Sequence, residues 1–281
     1  MTMSGELNLV NHIAKALVRP SAYTRSTLED ATHQWRDAYA ADSVDYLDDP
    51  SELAILQAIA RKQPFIIRHA PTSTPHDQWS LARLKQDYGD VLLRVRSAQD
   101  RETVGEFVER IQQLPATAEE IIEGHTKAYT EGCQLPWQMA QDFLPHYFST
   151  HDYTPAQIWL GSVPVNVPAS SLHRDPLDGF LYQLMGRKKV IMFSPDQAKY
   201  LYPMKAYNNY QPCWAKPEEQ NFDQFPLFAQ AKALEVVLNP GEMLVQPAGW
   251  FHAVYCLDSP TFSVSYFLNE PVGVERDASV L

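Results

Sequence analysis

The stretch from residue 170 to residue 190, SSLHRDPLDGFLYQLMGRKKV, decides how this chain of 281 residues is interpreted. It contains two short β-rich runs and the start of a third, separated by turn residues: Ser170–Arg174, Phe180–Leu184 and Lys188–Phe193. Short strands with proline and glycine between them are typical of antiparallel sandwiches and barrels. The first run ends in a His-x-Asp tripeptide, so a motif with possible metal chemistry lies at the end of a predicted strand.

The same strand pattern extends on both sides of this stretch, with further strands predicted at Gln157–Gly161, Leu234–Leu238, Met243–Gln246, Phe251–Cys256 and Phe262–Leu268. Before residue 150, helices and strands alternate, and no Ser- or Gly-rich linker divides the chain. We therefore predict a mostly β fold with flanking helices. It comprises an N-terminal helical extension over residues 1–45 and one domain over residues 46–281, with its β core at about 156–268.

Composition and charge restrict the functional classes. The hydrophobic content of 45% and charged content of 20% are those of a soluble globular protein, and the formal net charge of -11 disfavours nucleic acid as a partner. No apolar run is long enough to span a membrane, and Met1–Arg19 lacks a signal-peptide pattern. Three cysteines without a CxxC pair indicate reduced thiols. We expect a cytoplasmic protein with no membrane contact.

The tripeptide beginning at His173 places two metal-ligating side chains together. In a strand, residues i and i+2 project to the same face, so His173 and Asp175 point into the barrel while Arg174 points away. A 2-His-1-carboxylate triad of this kind holds Fe(II) and leaves coordination positions open. The third ligand must come from another strand, and His252, directly after Trp250-Phe251, is the candidate.

The tripeptide alone is a weak signal with two competing interpretations. A core histidine satisfied by a neighbouring carboxylate would give the same letters. His-Arg-Asp is also the signature of the protein-kinase catalytic loop. The kinase interpretation fails because the chain has neither a glycine-rich loop nor Asp-Phe-Gly, and Phe180 stands where the kinase asparagine would be.

Lys188, fifteen residues after His173, strengthens the metal hypothesis. A dicarboxylate bound to iron through its 2-oxo acid end leaves its other carboxylate to be met by a buried cation and hydroxyl donors. Ser170 and Tyr129 could supply those hydroxyls. The competing interpretation is a solvated lysine in the cationic run from Arg187 to Lys189.

These segments resemble the JmjC-domain 2-oxoglutarate oxygenases, and especially the small hydroxylase-type members related to factor inhibiting HIF rather than the chromatin demethylases. The resemblance covers about residues 45–268 and rests on the segments SLHRDP (171–176), FLYQLMGRK (180–188), FSPDQ (193–197), PGEML (240–244), WFH (250–252) and FSVSYF (262–267). It implies a double-stranded β-helix, also called a jelly-roll or cupin barrel. It also implies Fe(II) as the metal, with 2-oxoglutarate and O2 as co-substrates.

The resemblance also implies roles for individual residues. His173, Asp175 and His252 become the catalytic iron ligands, and Lys188 becomes the partner of the distal 2-oxoglutarate carboxylate. The residues expected to assist at the co-substrate are Ser170, Tyr129 and Ser265. Two positions depart from the family pattern, because Gly179 and Ser265 stand where many or some relatives carry asparagine.

The expected reaction is hydroxylation of a C–H bond on a protein or peptide side chain. Hydroxylation of a small molecule, such as an amino acid or natural product, is the alternative. A non-catalytic cupin-like binding module is a third hypothesis. Other cupin enzymes usually use three His and a Glu with a His-x-His pair, which this sequence lacks. The sequence leaves monomer and homodimer both open.

Overall fold

The structure is a computed structural model that describes residues 43–95, 101–113, 128–145, 147–149, 152–204 and 210–269. Its α-helices are α1 (Glu52–Ala60), α2 (Leu81–Tyr88), α3 (Val104–Ile111), α4 (Trp137–Phe143) and α5 (Ala198–Leu201). Its strands are β1 (Asp45–Asp48), β2 (Phe65–Arg68), β3 (Leu92–Leu93), β4 (Glu102–Thr103), β5 (Ala128–Tyr129), β6 (Cys133–Gln134), β7 (Gln157–Ser162), β8 (Ser170–Arg174), β9 (Gly179–Met185), β10 (Lys188–Phe193), β11 (Gln211–Pro212), β12 (Leu234–Leu238), β13 (Met243–Gln246), β14 (Phe251–Cys256) and β15 (Thr261–Phe267). None of the helices in these ranges is long and apolar enough to cross a membrane.

Two largely antiparallel sheets form the core. The larger sheet has the order β1-β2-β13-β9-β15-β7-β5, with β6 also paired to β7, and the smaller has the order β11-β8-β14-β10-β12. From β7 to β15 the chain crosses repeatedly between the sheets, with only β10, β11 and β12 following one another in the same sheet, so each sheet interleaves strands from the first and second halves of the core. This is the double-stranded β-helix that the sequence predicted, and the mostly β fold class is confirmed.

The predicted strands between residues 157 and 268 are all present, with ends that differ by at most one or two residues. The predicted N-terminal extension falls almost wholly on residues 1–42, which lie outside the described residues. Before the core, β1 and β2 form a parallel pair, and β2 continues the larger sheet beside β13. The chain from Asp45 onward is therefore built into the barrel sheet.

Side-chain alternation divides the barrel into an inside and an outside. On β10, Val190 and Met192 join the interior cluster, whereas Ile191 and Phe193 pack under the outer residues of 198–204 and 210–231. On the larger sheet, the outward residues of β9 and β15 pack with the helices α1 to α4 in the largest apolar cluster. Because the period in a strand is two, the same alternation directs polar residues of these strands into the chamber.

Helices α1, α2 and α3 over the larger sheet begin at side-chain caps. Thr103 and Glu106 form a reciprocal capping box at the start of α3. Helix α1 follows the residues Asp49-Pro50-Ser51. In the structure the cap is Ser51, whose hydroxyl accepts from the Ala54 amide, and Pro50 precedes it. Ser51 serves as the cap because its backbone is extended where the helix begins.

Gly161 allows β5 to approach β7 closely, and we expect its replacement to be costly. Its φ is +106°, and a Cβ there would lie 1.8 Å from the Ala128 carbonyl oxygen. We predict that Gly161→Ala lowers the free energy of unfolding by about 3 kcal/mol or more, as measured by chemical denaturation. Gly179→Ala is the comparison, because its backbone is extended and its Cβ would meet only the Phe267 ring, at 3.0 Å. Equal losses for the two variants would contradict this account of Gly161.

Candidate metal and dicarboxylate site

Three side chains at one end of the chamber form a compact group of metal-ligating atoms. The ligand atoms of His173, Asp175 and His252 all lie within 4.8 Å of one another. The Asp175 Oδ2 atom lies 3.4 Å from His173 Nε2 and 3.7 Å from His252 Nε2. His173 and His252 are cross-strand partners on β8 and β14, which is why their side chains share a face. The structure thus brings together the three residues that the sequence predicted as a triad.

Backbone carbonyls fix both imidazole tautomers. His173 Nδ1 lies 2.7 Å from the Ser171 carbonyl, and His252 Nδ1 lies 3.3 Å from the Trp250 carbonyl. Because a carbonyl oxygen can only accept, each Nδ1 carries the proton and donates. Both Nε2 lone pairs then face Asp175. Fixing the ring tautomer through the second nitrogen is the usual arrangement around a bound metal.

Electrostatics keep the triad in its ligating form. Burial and the neighbouring His173 lower the pKa of His252 to about 4, so its Nε2 is unprotonated at neutral pH. Burial alone would raise the pKa of Asp175, but His173 and His252 hold that pKa below its usual value. Two imidazole nitrogens and one carboxylate make a donor set that suits Fe(II) and related divalent ions. These residues therefore fit the metal that the resemblance implied.

Two loops at this end are tied together around the triad. The Gly249 amide donates to the Asp175 backbone carbonyl at 2.9 Å, and the Ala248 amide donates to Asp178 Oδ1 at 2.8 Å. These bonds join the loop that carries Asp175 to the loop that precedes His252. Asp178 is fully buried. The position of the Asp175 loop relative to the loop before His252 is therefore set by hydrogen bonds as well as by the sheet.

Lys188 lies on the inside of the chamber, at the start of β10. It is 1% exposed, and its Nζ donates to the Tyr129 hydroxyl at 3.0 Å. Among the described residues, no carboxylate forms an ion pair with it. Burial lowers its pKa to about 8. The neighbouring cations point outward, since Arg187 pairs with Asp258 and Lys189 lies over the Tyr255 ring. The solvated-lysine interpretation is wrong for Lys188 and describes its neighbours.

The other predicted residues are placed less closely around Lys188. Ser265 lies on the inner face of β15, and its hydroxyl accepts from Trp159 Nε1 at 2.8 Å. Ser170 pairs with Val254 across a bulge in β8, which returns it to the face of His173. Its hydroxyl forms no hydrogen bond with the described residues. The structure therefore joins Tyr129 directly to Lys188 but gives no such contact for Ser170 or Ser265.

Sequence reasoning missed three neighbours of the site. The Tyr210 ring stacks on the His173 ring, with centroids 4.4 Å apart. Cys256 is fully buried and lies opposite Lys188 in the strand register. The Trp159 ring lies 6.2 Å from that of Tyr129. A signal existed for Cys256 and Trp159, because strand alternation places both on inner faces. None existed for Tyr210, which precedes a strand of two residues.

Comparison with known protein families decides the family. Residues 50–273 match the cupin-like domain, which accounts for most of the chain. This chain belongs to the cupin-like domain family. The JmjC-type resemblance predicted from the sequence is confirmed by this match together with the named relatives.

Three curated relatives show how far the likeness extends. Lysine-specific demethylase 8 of Danio rerio is 28% identical over 237 residues, covering 79% of this cupin-like chain and 54% of that protein. The Xenopus tropicalis protein of the same name is 32% identical over 138 residues, covering 48% of this chain and 30% of that one. The tRNA wybutosine-synthesizing protein 5 of Gallus gallus is 32% identical over 117 residues, covering 41% and 35%. The alignments thus span between 30% and 54% of the length of these relatives, whose names describe different substrates.

Proposed function

We propose that this cupin-like protein is an Fe(II)- and 2-oxoglutarate-dependent oxygenase that hydroxylates a C–H bond. The observation that carries the proposal is a largely buried His-Asp-His group facing the same chamber as a buried lysine that has no carboxylate partner among the described residues. A metal ion at the His-Asp-His group, and a dicarboxylate between that metal and Lys188, would give both groups their partners. Family membership supports the same conclusion.

The spacing of the two groups suits a short diacid. On the adjacent strands β10 and β14, Lys188 pairs with Cys256 and Met192 pairs with His252. Four residues along the strands separate the Lys188–Cys256 pair from the Met192–His252 pair, which is about 13 Å at about 3.3 Å per residue. A five-carbon diacid and an extended lysine side chain together can span this interval. The lysine would bind the far carboxylate while the other end reaches the metal.

Each residue has a defined task in this proposal. His173 Nε2, His252 Nε2 and the Asp175 carboxylate would hold Fe(II), which together with 2-oxoglutarate and O2 supplies the oxidising chemistry. Lys188 Nζ and the Tyr129 hydroxyl would bind the far carboxylate. The interior apolar side chains, among them Val190, Met192, Leu244 and Val254, exclude water from the chamber.

For the substrate, we propose a side chain of a protein or peptide. The formal charge of -11 favours a basic or neutral partner and disfavours nucleic acid. A small-molecule substrate is the second candidate, supported by Gly179, which leaves the start of β9 without a side chain. The relatives' names include both a lysine demethylase and a tRNA-modifying protein, so they do not decide between these classes.

Parallel screens would test the substrate proposal. The iron-loaded protein is incubated with 2-oxoglutarate and O2, and with either a basic peptide library or a set of amino acids and natural products. Succinate formation above the substrate-free rate, together with a product heavier by one oxygen atom, identifies a substrate. A positive metabolite screen with no peptide product would overturn the protein-substrate proposal and leave the oxygenase proposal intact.

The affinity for 2-oxoglutarate should depend on pH through Lys188. In the ligand-free protein the pKa of Lys188 is about 8, and a bound carboxylate would raise it. Binding needs the charged form, so affinity should be constant below pH 8 and fall about tenfold per pH unit above it. Calorimetric titration of the anaerobic iron-loaded protein between pH 6.5 and 9.5 measures this slope. A profile that stays flat in wild type would show that Lys188 does not bind the co-substrate.

A further inference from the structure

Gln246 presents a buried hydrogen-bond donor that the protein itself does not satisfy. Its Nε2 atom is inaccessible to solvent and has no hydrogen-bond partner among the described residues. Buried polar groups are almost always hydrogen-bonded, because an unmet donor loses its water without compensation. An unmet amide inside a barrel therefore points to an acceptor that belongs to a ligand.

The register places this amide in the chamber. Gln246 is the last residue of β13, two residues after Leu244, whose side chain belongs to the interior cluster. Residues i and i+2 share a face, so Gln246 faces inward as well. Its cross-strand partner is Gly179, the first residue of β9, which has no side chain to meet the amide. The third strand in this row contributes Phe267, also a partner of Gly179.

The same register places the amide at the metal end of the chamber. The loop that follows Gln246 leads directly into β14 and His252, and its Gly249 amide is bonded to the Asp175 carbonyl. Gly179 follows Asp175 by four residues on the other loop. Lys188 lies at the opposite end, beyond the turn that closes β9. Gln246 and Lys188 therefore stand at opposite ends of the space that a bound diacid would fill.

We infer that the Gln246 side-chain amide donates a hydrogen bond to the 2-oxo acid end of 2-oxoglutarate, while Lys188 binds the far carboxylate. This inference rests on the proposed function and deepens it by assigning a second residue to the co-substrate. A carboxylate or keto oxygen is an acceptor only, which is what a lone N–H donor requires. Two anchors at opposite ends would also fix the orientation of the diacid relative to the metal.

Ligands that carry only one end of 2-oxoglutarate can distinguish the contact of Gln246 from that of Lys188. Oxalate reproduces the end that chelates the metal, and succinate carries the far carboxylate without the keto group. Binding of oxalate, succinate and 2-oxoglutarate to anaerobic Fe(II)-loaded protein is measured by calorimetry for wild type, Gln246→Leu and Lys188→Met. Gln246→Leu should weaken oxalate and 2-oxoglutarate by about tenfold and change succinate by less than twofold, since a hydrogen bond to a charged acceptor is lost. Lys188→Met should weaken succinate and 2-oxoglutarate and leave the affinity for oxalate nearly unchanged.

A second measurement distinguishes ligand binding from a structural role. Removing an unmet donor should leave the melting temperature of the ligand-free protein unchanged or raise it, while the increase caused by oxalate should shrink. Gln246→Glu keeps the shape but replaces the donor with a carboxylate, and it should weaken oxalate further. Unchanged oxalate and 2-oxoglutarate affinity in Gln246→Leu would overturn the inference and leave the proposed function standing. Failure of the wild-type protein to bind Fe(II) or any of the three acids would overturn both.

Discussion

Asp175→Asn is expected to lower the affinity for Fe(II) by more than about 100-fold and to remove 2-oxoglutarate turnover. The carboxylate lies 3.4 Å and 3.7 Å from the two imidazole Nε2 atoms, so it supplies the only negative charge of the triad. Loss of residues that merely orient a metal ligand typically costs 10- to 100-fold, and loss of a ligand should cost more. Iron retained after anaerobic dialysis, together with succinate formation, measures the effect.

His69→Asn provides the matched control for this variant. His69 lies in a turn with φ of +58°, a conformation that asparagine adopts readily, and it is outside the triad. It should bind iron and form succinate as the wild type does. Wild-type iron affinity in a folded Asp175→Asn protein would show that the carboxylate is not a ligand and that the His-Asp contact is only structural.

Lys188→Met is expected to have opposite effects on stability and on binding. Burial lowers the pKa of Lys188 from 10.5 to about 8, which corresponds to about 3 kcal/mol of cost for keeping the charged form folded at neutral pH. Because the folded-state pKa is depressed, this penalty is fully present below pH 8 and disappears as pH rises to 10.5. Methionine removes the charge but keeps the volume, so the free energy of unfolding at pH 7 should rise by about 1–3 kcal/mol. Affinity for 2-oxoglutarate should fall between about 10- and 100-fold.

Lys189→Met is the control for the lysine prediction. Lys189 is adjacent in sequence but lies on the outer face, over the Tyr255 ring. It should change neither 2-oxoglutarate affinity nor the pH dependence of stability to a comparable degree. Denaturation curves at pH 7 and pH 10 and calorimetric titration measure both quantities. A Lys188→Met protein that is less stable at pH 7 and binds 2-oxoglutarate normally would assign the lysine a structural role.

The parts of the fold that could be predicted are those set by local periodicity. Most strands of the core alternate between inner and outer residues, so their limits follow from the sequence to within a residue or two. The same period of two explains why His173 and Asp175 meet, since they are two residues apart and Asp175 directly follows the end of β8. It also explains the cationic run from Arg187 to Lys189, because Lys188 is the only one of these three cations whose side chain falls on the inner face. Composition alone had favoured a solvated lysine there.

The parts that could not be predicted depend on contacts between distant segments. Tyr210 reaches His173 because the two-residue strand β11 pairs with β8, and so short a strand has no readable pattern. The hydrogen bond from Ala248 to Asp178 joins two loops 70 residues apart. The unmet amide of Gln246 is visible only when its cross-strand partner is known to be a glycine. In each case the partner is determined by sheet order, which local propensity does not specify.

Anaerobic addition of Fe(II) and then 2-oxoglutarate to metal-free protein tests the central claim most directly. Chelation of the metal by the 2-oxo acid gives a weak visible charge-transfer band that neither component produces alone. We predict this band in the wild-type protein, its absence in His252→Ala, and its appearance only at higher 2-oxoglutarate concentration in Lys188→Met. Properly folded wild-type protein that binds Fe(II) and 2-oxoglutarate without producing the band, or binds neither, would contradict the oxygenase assignment.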